Sequence, residues 1–114
     1  MSRDCLFCKI AQGLLSTDFV METDHLVAFR DRNPVAPTHI LVIPRKHIAS
    51  LIDLEPEDKA LIGEITLAIK ELAKQEGLGD GFRVVVNTGP DGGQSVHHLH
   101  FHLLGGRSLQ WPPG

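Results

Sequence analysis

Cysteine is scarce in this chain, two residues among 114, and that scarcity excludes a disulfide framework as the source of its stability. The two are spaced Cys5-x-x-Cys8, which in a reducing compartment is a redox or metal motif before it is a bridge. Basic residues are a minority, 11 against 14 acidic ones, for a net charge of −3. That balance leaves no electrostatic footprint for a nucleic-acid backbone, whereas a small anionic ligand needs only backbone amides and a few placed side chains. No run approaches the ~18 apolar residues of a membrane span, and Met1-Ser2-Arg3-Asp4-Cys5 lacks a signal-peptide core. The expected location is the cytoplasm, with no membrane or nucleic-acid partner. Internal repeats, low-complexity runs and linkers are missing too, so residues 1–114 read as one domain, long enough to bury roughly two thirds of its unfolded surface.

What is present concentrates near the C-terminal end. Four of the seven histidines fall between His97 and His102, and from His98 onward imidazole and apolar residues alternate as His98-Leu99-His100-Phe101-His102-Leu103. Side chains on a strand point to opposite faces with period 2, so the spacing predicts a strand with His98, His100 and His102 on one face. On a helix the same rings would spread over roughly 400° of rotation. One satisfied core histidine needs no explanation; three in register beside a glycine-rich loop point to a site, because imidazole titrates nearest working pH.

The remaining elements follow from spacing. A short helix is expected over Asp4 to Gly13, capped by Asp4, with Leu6, Ile10 and Ala11 on one side and both cysteines sharing a face. Phe19 to Glu22 and Leu26 to Asp31 read as a hairpin around Thr23-Asp24-His25. The run Ile40 to Ile43, stopped by Pro44, reads as a central strand. Ser50 to Leu54 forms a helical turn, and Pro56 opens a long helix whose apolar stripe is Leu61, Ile65, Ala68 and Leu72. Phe82 to Asn87 reads as another buried strand, followed by a glycine-containing loop from Thr88 to Ser95. The proline-rich end, Trp111-Pro112-Pro113-Gly114, can complete neither helix nor central strand, so its tryptophan needs a surface to lie on. About five strands, one long helix and one short one, without regular alternation, favour an α+β fold with an antiparallel sheet.

Three chemistries could use the histidine row: metal binding, general acid–base catalysis by one ring, or nucleophilic attack on phosphorus by a neutral imidazole. No carboxylate is built into the row, and Asp91 is the acid nearest to it. The loop Asn87 to Ser95 carries glycines whose N–H groups can converge on an oxyanion, although it has neither the Walker Lys-Ser/Thr nor a G-x-G-x-x-G. Cys5, Cys8, His47 and one histidine of the row would make a tetrahedral zinc set; alternatively, the cysteines simply pack as small hydrophobes.

The pattern His98-x-His100-x-His102-x-x resembles the histidine triad (HIT) family. The likeness extends to Pro37-Thr38-His39-Ile40-Leu41-Val42-Ile43-Pro44-Arg45-Lys46-His47, to Asp91-Gly92-Gly93-Gln94-Ser95-Val96, to Gly105-Gly106-Arg107 and to Trp111-Pro112-Pro113-Gly114. These motifs are similar to the histidine triad nucleotide-binding (HINT) branch. The resemblance implies a five-stranded antiparallel sheet with two helices, paired with a second copy into a ten-stranded dimer. It implies a purine nucleoside phosphoramidase that cleaves a P–N bond and releases AMP or GMP. His100 would be the nucleophile, forming a nucleotidyl-histidine; His98 and His39 would support it; His102 and Ser95 would lie near the phosphate and the leaving amine. Asp31 would hold the ribose hydroxyls, Asn87, Gly93 and Gln94 would cradle the phosphate, and Trp111 would reach toward the partner's site. No cofactor would be required for the chemistry, and a structural zinc would sit on Cys5, Cys8, His47 and His98, giving His98 a structural job. An ordinary imidazole, pKa about 6.5, is roughly three quarters neutral at pH 7 and can attack without a metal. Arg32 stands where an aliphatic residue near the base is usual, and His97 has no assigned role. Competing readings are a nucleotide-binding or scaffolding protein with weak activity, a dinucleoside polyphosphate hydrolase, and a catalytic metalloprotein.

Overall fold

Residues 4–114 are described in a computed structural model; Met1, Ser2 and Arg3, part of the 1–114 reading, lie outside the described residues. Five antiparallel strands, β1 (Phe19–Glu22), β2 (Leu26–Arg30), β3 (Thr38–Pro44), β4 (Phe82–Val85) and β5 (Phe101–Gly105), form one sheet in the order β1-β2-β3-β5-β4. Helix α1 spans Leu6–Ala11, α2 spans Lys59–Gln75, and a single turn, α3, spans Gly89–Gly92. This is the expected α+β architecture.

β3 is central because every one of its residues is buried, which a continuous apolar run can afford only between two neighbours. The two faces of the sheet bury separate clusters. On one, Ile65, Ala68, Ile69 and Leu72 of α2 pack with Ile40, Val42, Leu99, Phe101 and Leu103; on the other, Phe7, Cys8, Ile10 and Ala11 of α1 pack with Val27, Phe29, Leu41 and Ile43. Arg30 holds Glu76, just past α2, through two bonds of 2.7 and 2.9 Å.

Five expectations are corrected. α1 is capped by Cys5, whose sulfur accepts from the Cys8 N–H, and not by Asp4. Leu6 is 48% exposed because it faces a pocket, not the core. Pro56 opens a separate 3-10 turn, Pro56–Asp58, closed by the Asp58 carboxylate accepting from the Glu55 N–H at 2.9 Å, and α2 begins after it. β4 is an edge strand rather than a buried one, with Phe82 46% and Val84 42% exposed. The histidine strand begins only at Phe101, so His98 and His100 sit on the irregular approach to it. Their faces nonetheless alternate as expected: Leu99, Phe101 and Leu103 pack toward α2, while Phe7 of α1 meets the rings of His98 and His100.

Candidate active site

The strand ends early for a covalent reason. Continuing the β3–β5 register, in which Val42 faces Phe101, would set Leu99 against Pro44, which has no N–H to offer. The groups freed from the ladder take other partners. Leu99 N–H donates to the Ile48 carbonyl at 2.6 Å, His98 Nε2–H donates to the Pro44 carbonyl at 2.8 Å, and His100 Nδ1–H donates to the His98 carbonyl at 2.7 Å. A carbonyl only accepts, so each ring's tautomer is set. His100 keeps its lone pair on Nε2, and His98 keeps its lone pair on Nδ1.

His102 is set from further away. Val35 N–H donates to His39 Nδ1 at 3.2 Å, so the neutral His39 ring carries its hydrogen on Nε2 and donates to His102 Nδ1 at 2.9 Å. His102 is then left with Nε2–H, a buried donor without a protein partner among the described residues. Burial, reinforced by the His100 and His39 imidazoles and opposed by Asp31, lowers the His102 pKa to about 4, so the ring is neutral near pH 7. His98 is also pushed down, first by burial and then by His47 and His100, with the Pro44 carbonyl pulling the other way.

His100 and His102, with ring centroids 5.1 Å apart, line a pocket of about 940 Å³. Phe7, Ile10, Phe29 and Leu41 give it an apolar wall; Asp31, Arg32 and Ser95 stand on its polar side. Asp31 Oδ1 accepts from Asn33 N–H at 2.8 Å and Oδ2 lies 3.4 Å from His39 Nε2. His39 is buried behind His102, outside the lining. Asn87, Gly93, Gln94 and Trp111 do not line the pocket in the single chain. Gly93 and Gln94 N–H groups close α3 by donating to Pro90 and Gly89 carbonyls, and the Gln94 amide is used on Ala49, Val96 and Gly89 backbone groups. Gln94 therefore shapes the loop from within, and Trp111 is 82% exposed.

Two clusters bring metal-binding atoms within 4.8 Å of one another: Cys5, Cys8, His47 and His98, and Asp31, His39 and His102. Their hydrogen bonds separate them. In the second, Val35 occupies the Nδ1 lone pair of His39, so Nε2 is a donor in the neutral ring and not a ligand. In the first, His98 Nδ1 turns its lone pair toward the sulfurs, 3.3 Å from Cys5 Sγ and 3.5 Å from Cys8 Sγ, and His47 Nδ1 lies 3.2 Å from Cys8 Sγ. A tetrahedral ion with Zn–S of about 2.3 Å and Zn–N of about 2.05 Å requires S···N separations near ~3.5 Å. The donation from His98 to Pro44 also matches the outer-sphere bond that metal-bound histidines make. This is a Cys2His2 cluster able to hold a metal ion.

Sequence reasoning passed over Phe7, which lies edge-on to His98 and His100 with centroids 6.1 and 5.1 Å away. Its signal was the buried helical set Phe7, Cys8, Ile10, Ala11. Val35 and Ile48 act through backbone atoms that any residue would supply, and Pro44, legible as the stop of its own strand, acts on the histidine row through its carbonyl.

An α+β sheet that delivers buried, tautomer-fixed histidines from the mouth of one inner strand to an apolar-walled pocket defines the class. The HIT domain model matches residues 12–109, and the chain belongs to that family. It is 55% identical over 114 residues, the whole of both chains, to an uncharacterized HIT-like protein of Synechococcus elongatus. A HIT family hydrolase from Legionella pneumophila Philadelphia 1 is 51% identical with TM-score 0.95, covering 97% of this chain and 100% of that one. A histidine triad protein from Clostridium difficile is 48% identical with TM-score 0.92, covering 96% of each. These neighbours support a hydrolase in general terms. Among the described residues no helix is long and apolar enough to cross a membrane.

Proposed function

We propose that this chain is a purine nucleoside phosphoramidate hydrolase of the HINT branch, acting in the cytoplasm as a single domain over 1–114 and as a homodimer. The observation that carries this reading is the His100 tautomer: Nδ1–H is committed to the His98 carbonyl at 2.7 Å, so the Nε2 lone pair belongs to a ring lining the pocket. His100 Nε2 bonds to phosphorus as the P–N bond breaks, and the departing amine takes up a proton from solvent, which the attacking water of the next step returns. Water then attacks phosphorus, freeing AMP or GMP and restoring the ring. His102 Nε2–H, without a partner among the described residues, donates to a phosphoryl oxygen, and Ser95 lies on the leaving-group side. His39 holds His102; Asp31 meets the ribose; the base lies on the apolar wall. Asn87, Gly93 and Gln94 form the loop beside the phosphate.

The exposed apolar edge of β4, Phe82 and Val84, is the kind of unpaired strand that a second copy covers, in line with a ten-stranded dimer to whose partner site Trp111 would extend. Zinc on Cys5, Cys8, His47 and His98 would be structural, fixing the start of α1, with no role in bond breaking.

Steady-state turnover of an adenosine or guanosine 5′-phosphoramidate tests the reading. His100→Ala should lose at least about 10³-fold in kcat while still binding AMP. Intact turnover in that variant, or tight nucleotide binding with negligible turnover in the wild type, would overturn it.

A further inference from the structure

The Cys5, Cys8, His47 and His98 cluster takes no part in the hydrolysis proposed above, yet it shares a residue with it. The His98 ring belongs to the cluster through Nδ1 and is braced by Nε2–H donating to the Pro44 carbonyl at 2.8 Å. The main chain of the same residue belongs to the site, because its carbonyl accepts His100 Nδ1–H at 2.7 Å. A second link runs through α1. The Cys5 cap, 3.3 Å from Cys8 N, starts the helix that holds Phe7 against His100, centroids 5.1 Å apart.

We infer that the cluster, loaded with a thiophilic divalent cation, positions the nucleophile, with His98 as the positioning residue. A neutral imidazole can carry its hydrogen on either nitrogen, and only the Nδ1–H form leaves Nε2 able to attack. What selects that form in His100 is one carbonyl, and what fixes the carbonyl is a residue whose ring is clamped between the Pro44 carbonyl and the cluster. Without the cation the Nδ1 side of the clamp has only thiol contacts. The carbonyl then gains freedom, and part of the His100 population carries its hydrogen on Nε2, where it blocks attack. The cation thus acts at a distance through geometry and touches neither substrate nor reacting atoms.

This rests on His100 being the nucleophile, so the experiment reads the ring directly and without substrate. Full-length protein labelled with 15N-histidine is stripped by a chelator and titrated with zinc alone, while long-range 1H–15N spectra report which His100 nitrogen carries hydrogen. The zinc-loaded protein should show a single Nδ1–H signature. The stripped protein should show a mixture, with kcat on a phosphoramidate lowered about 10-fold to 100-fold and KM within about twofold, both restored by zinc. The double variant Cys5→Ser, Cys8→Ser should reproduce the stripped spectrum with zinc present. Should that variant fold poorly, His47→Gln should instead shift the zinc response to higher concentration. A His100 that keeps its single Nδ1–H signature after zinc is gone overturns the inference, even if thermal stability falls, because the cluster would then merely hold α1 in place. Failure of the hydrolase reading would show as turnover surviving in His100→Ala, whatever the spectra say.

Discussion

Four histidines meet in and behind the pocket, and hydrogen bonding gives each a different task. His100 and His98 are set by carbonyls, and His102 is set by His39, which is in turn set by the Val35 N–H. The last chain is testable by one substitution. His39→Phe keeps a ring of similar size but cannot donate to His102 Nδ1, so His102 should populate both tautomers and lose the constant Nε2–H that the proposed hydrolysis directs to the phosphate. We expect kcat to fall about 10-fold to 100-fold, with 15N shifts of His102 reporting the mixture. Unchanged kcat with a mixed His102 signal would show that the donor is not needed. At this scale the row itself could be read in the sequence, since period 2 on a strand puts three rings on one face. The division of labour could not, because every bond that decides it involves a backbone atom or a residue more than two positions away.

Elements carry the next level. β3 and α2 were readable because a fully apolar run and a 3.6-residue stripe each have one favourable packing. β4 was misread because a strand exposing apolar residues at an edge has the same composition as a buried one. The start of β5 was misread because its limit is imposed by Pro44 on the neighbouring strand. Past the other end of β5, Gly106 has φ +93°, and a Cβ there would lie 2.8 Å from Pro37 Cβ. Arg107 donates to the Val35 carbonyl at 3.0 Å, so this corner holds the loop that feeds His39. Gly106→Ala should destabilise the fold by about 1–3 kcal/mol, read as a lower denaturation midpoint, and should reduce activity in the fraction that remains folded. A midpoint equal to wild type would mean that the loop shifts freely.

At the scale of the whole molecule, titratable groups whose pKa values folding lowers tie stability to pH in two windows. The His102 pKa falls from 6.5 to about 4 on folding, so between those values the unfolded chain binds a proton that the native chain does not, and stability drops as pH falls. The loss is at most about 3 kcal/mol and is complete below the lower value. Asp58 and Glu76 are held below the usual carboxylate range by Lys46 and Arg30. Their contributions are present above the unfolded carboxylate value and are lost only as pH falls through the lower folded values. Denaturation midpoints of chelator-treated protein across pH 3 to 8 should therefore decline first through the imidazole window and then through the carboxylate window. The lowered His98 pKa acts in the same imidazole window, so His102→Asn should make the first decline shallower without removing it and leave the second.

In the proposed reaction His100 becomes covalently nucleotidylated, and intact mass spectrometry of enzyme quenched without acid during turnover of a guanosine 5′-phosphoramidate reads that bond. A transient species heavier by one nucleotidyl group is expected, mapping to the peptide that contains His100 and missing in His100→Ala. Turnover with no such species in fast-quenched samples, or an adduct mapping to another residue, would contradict it.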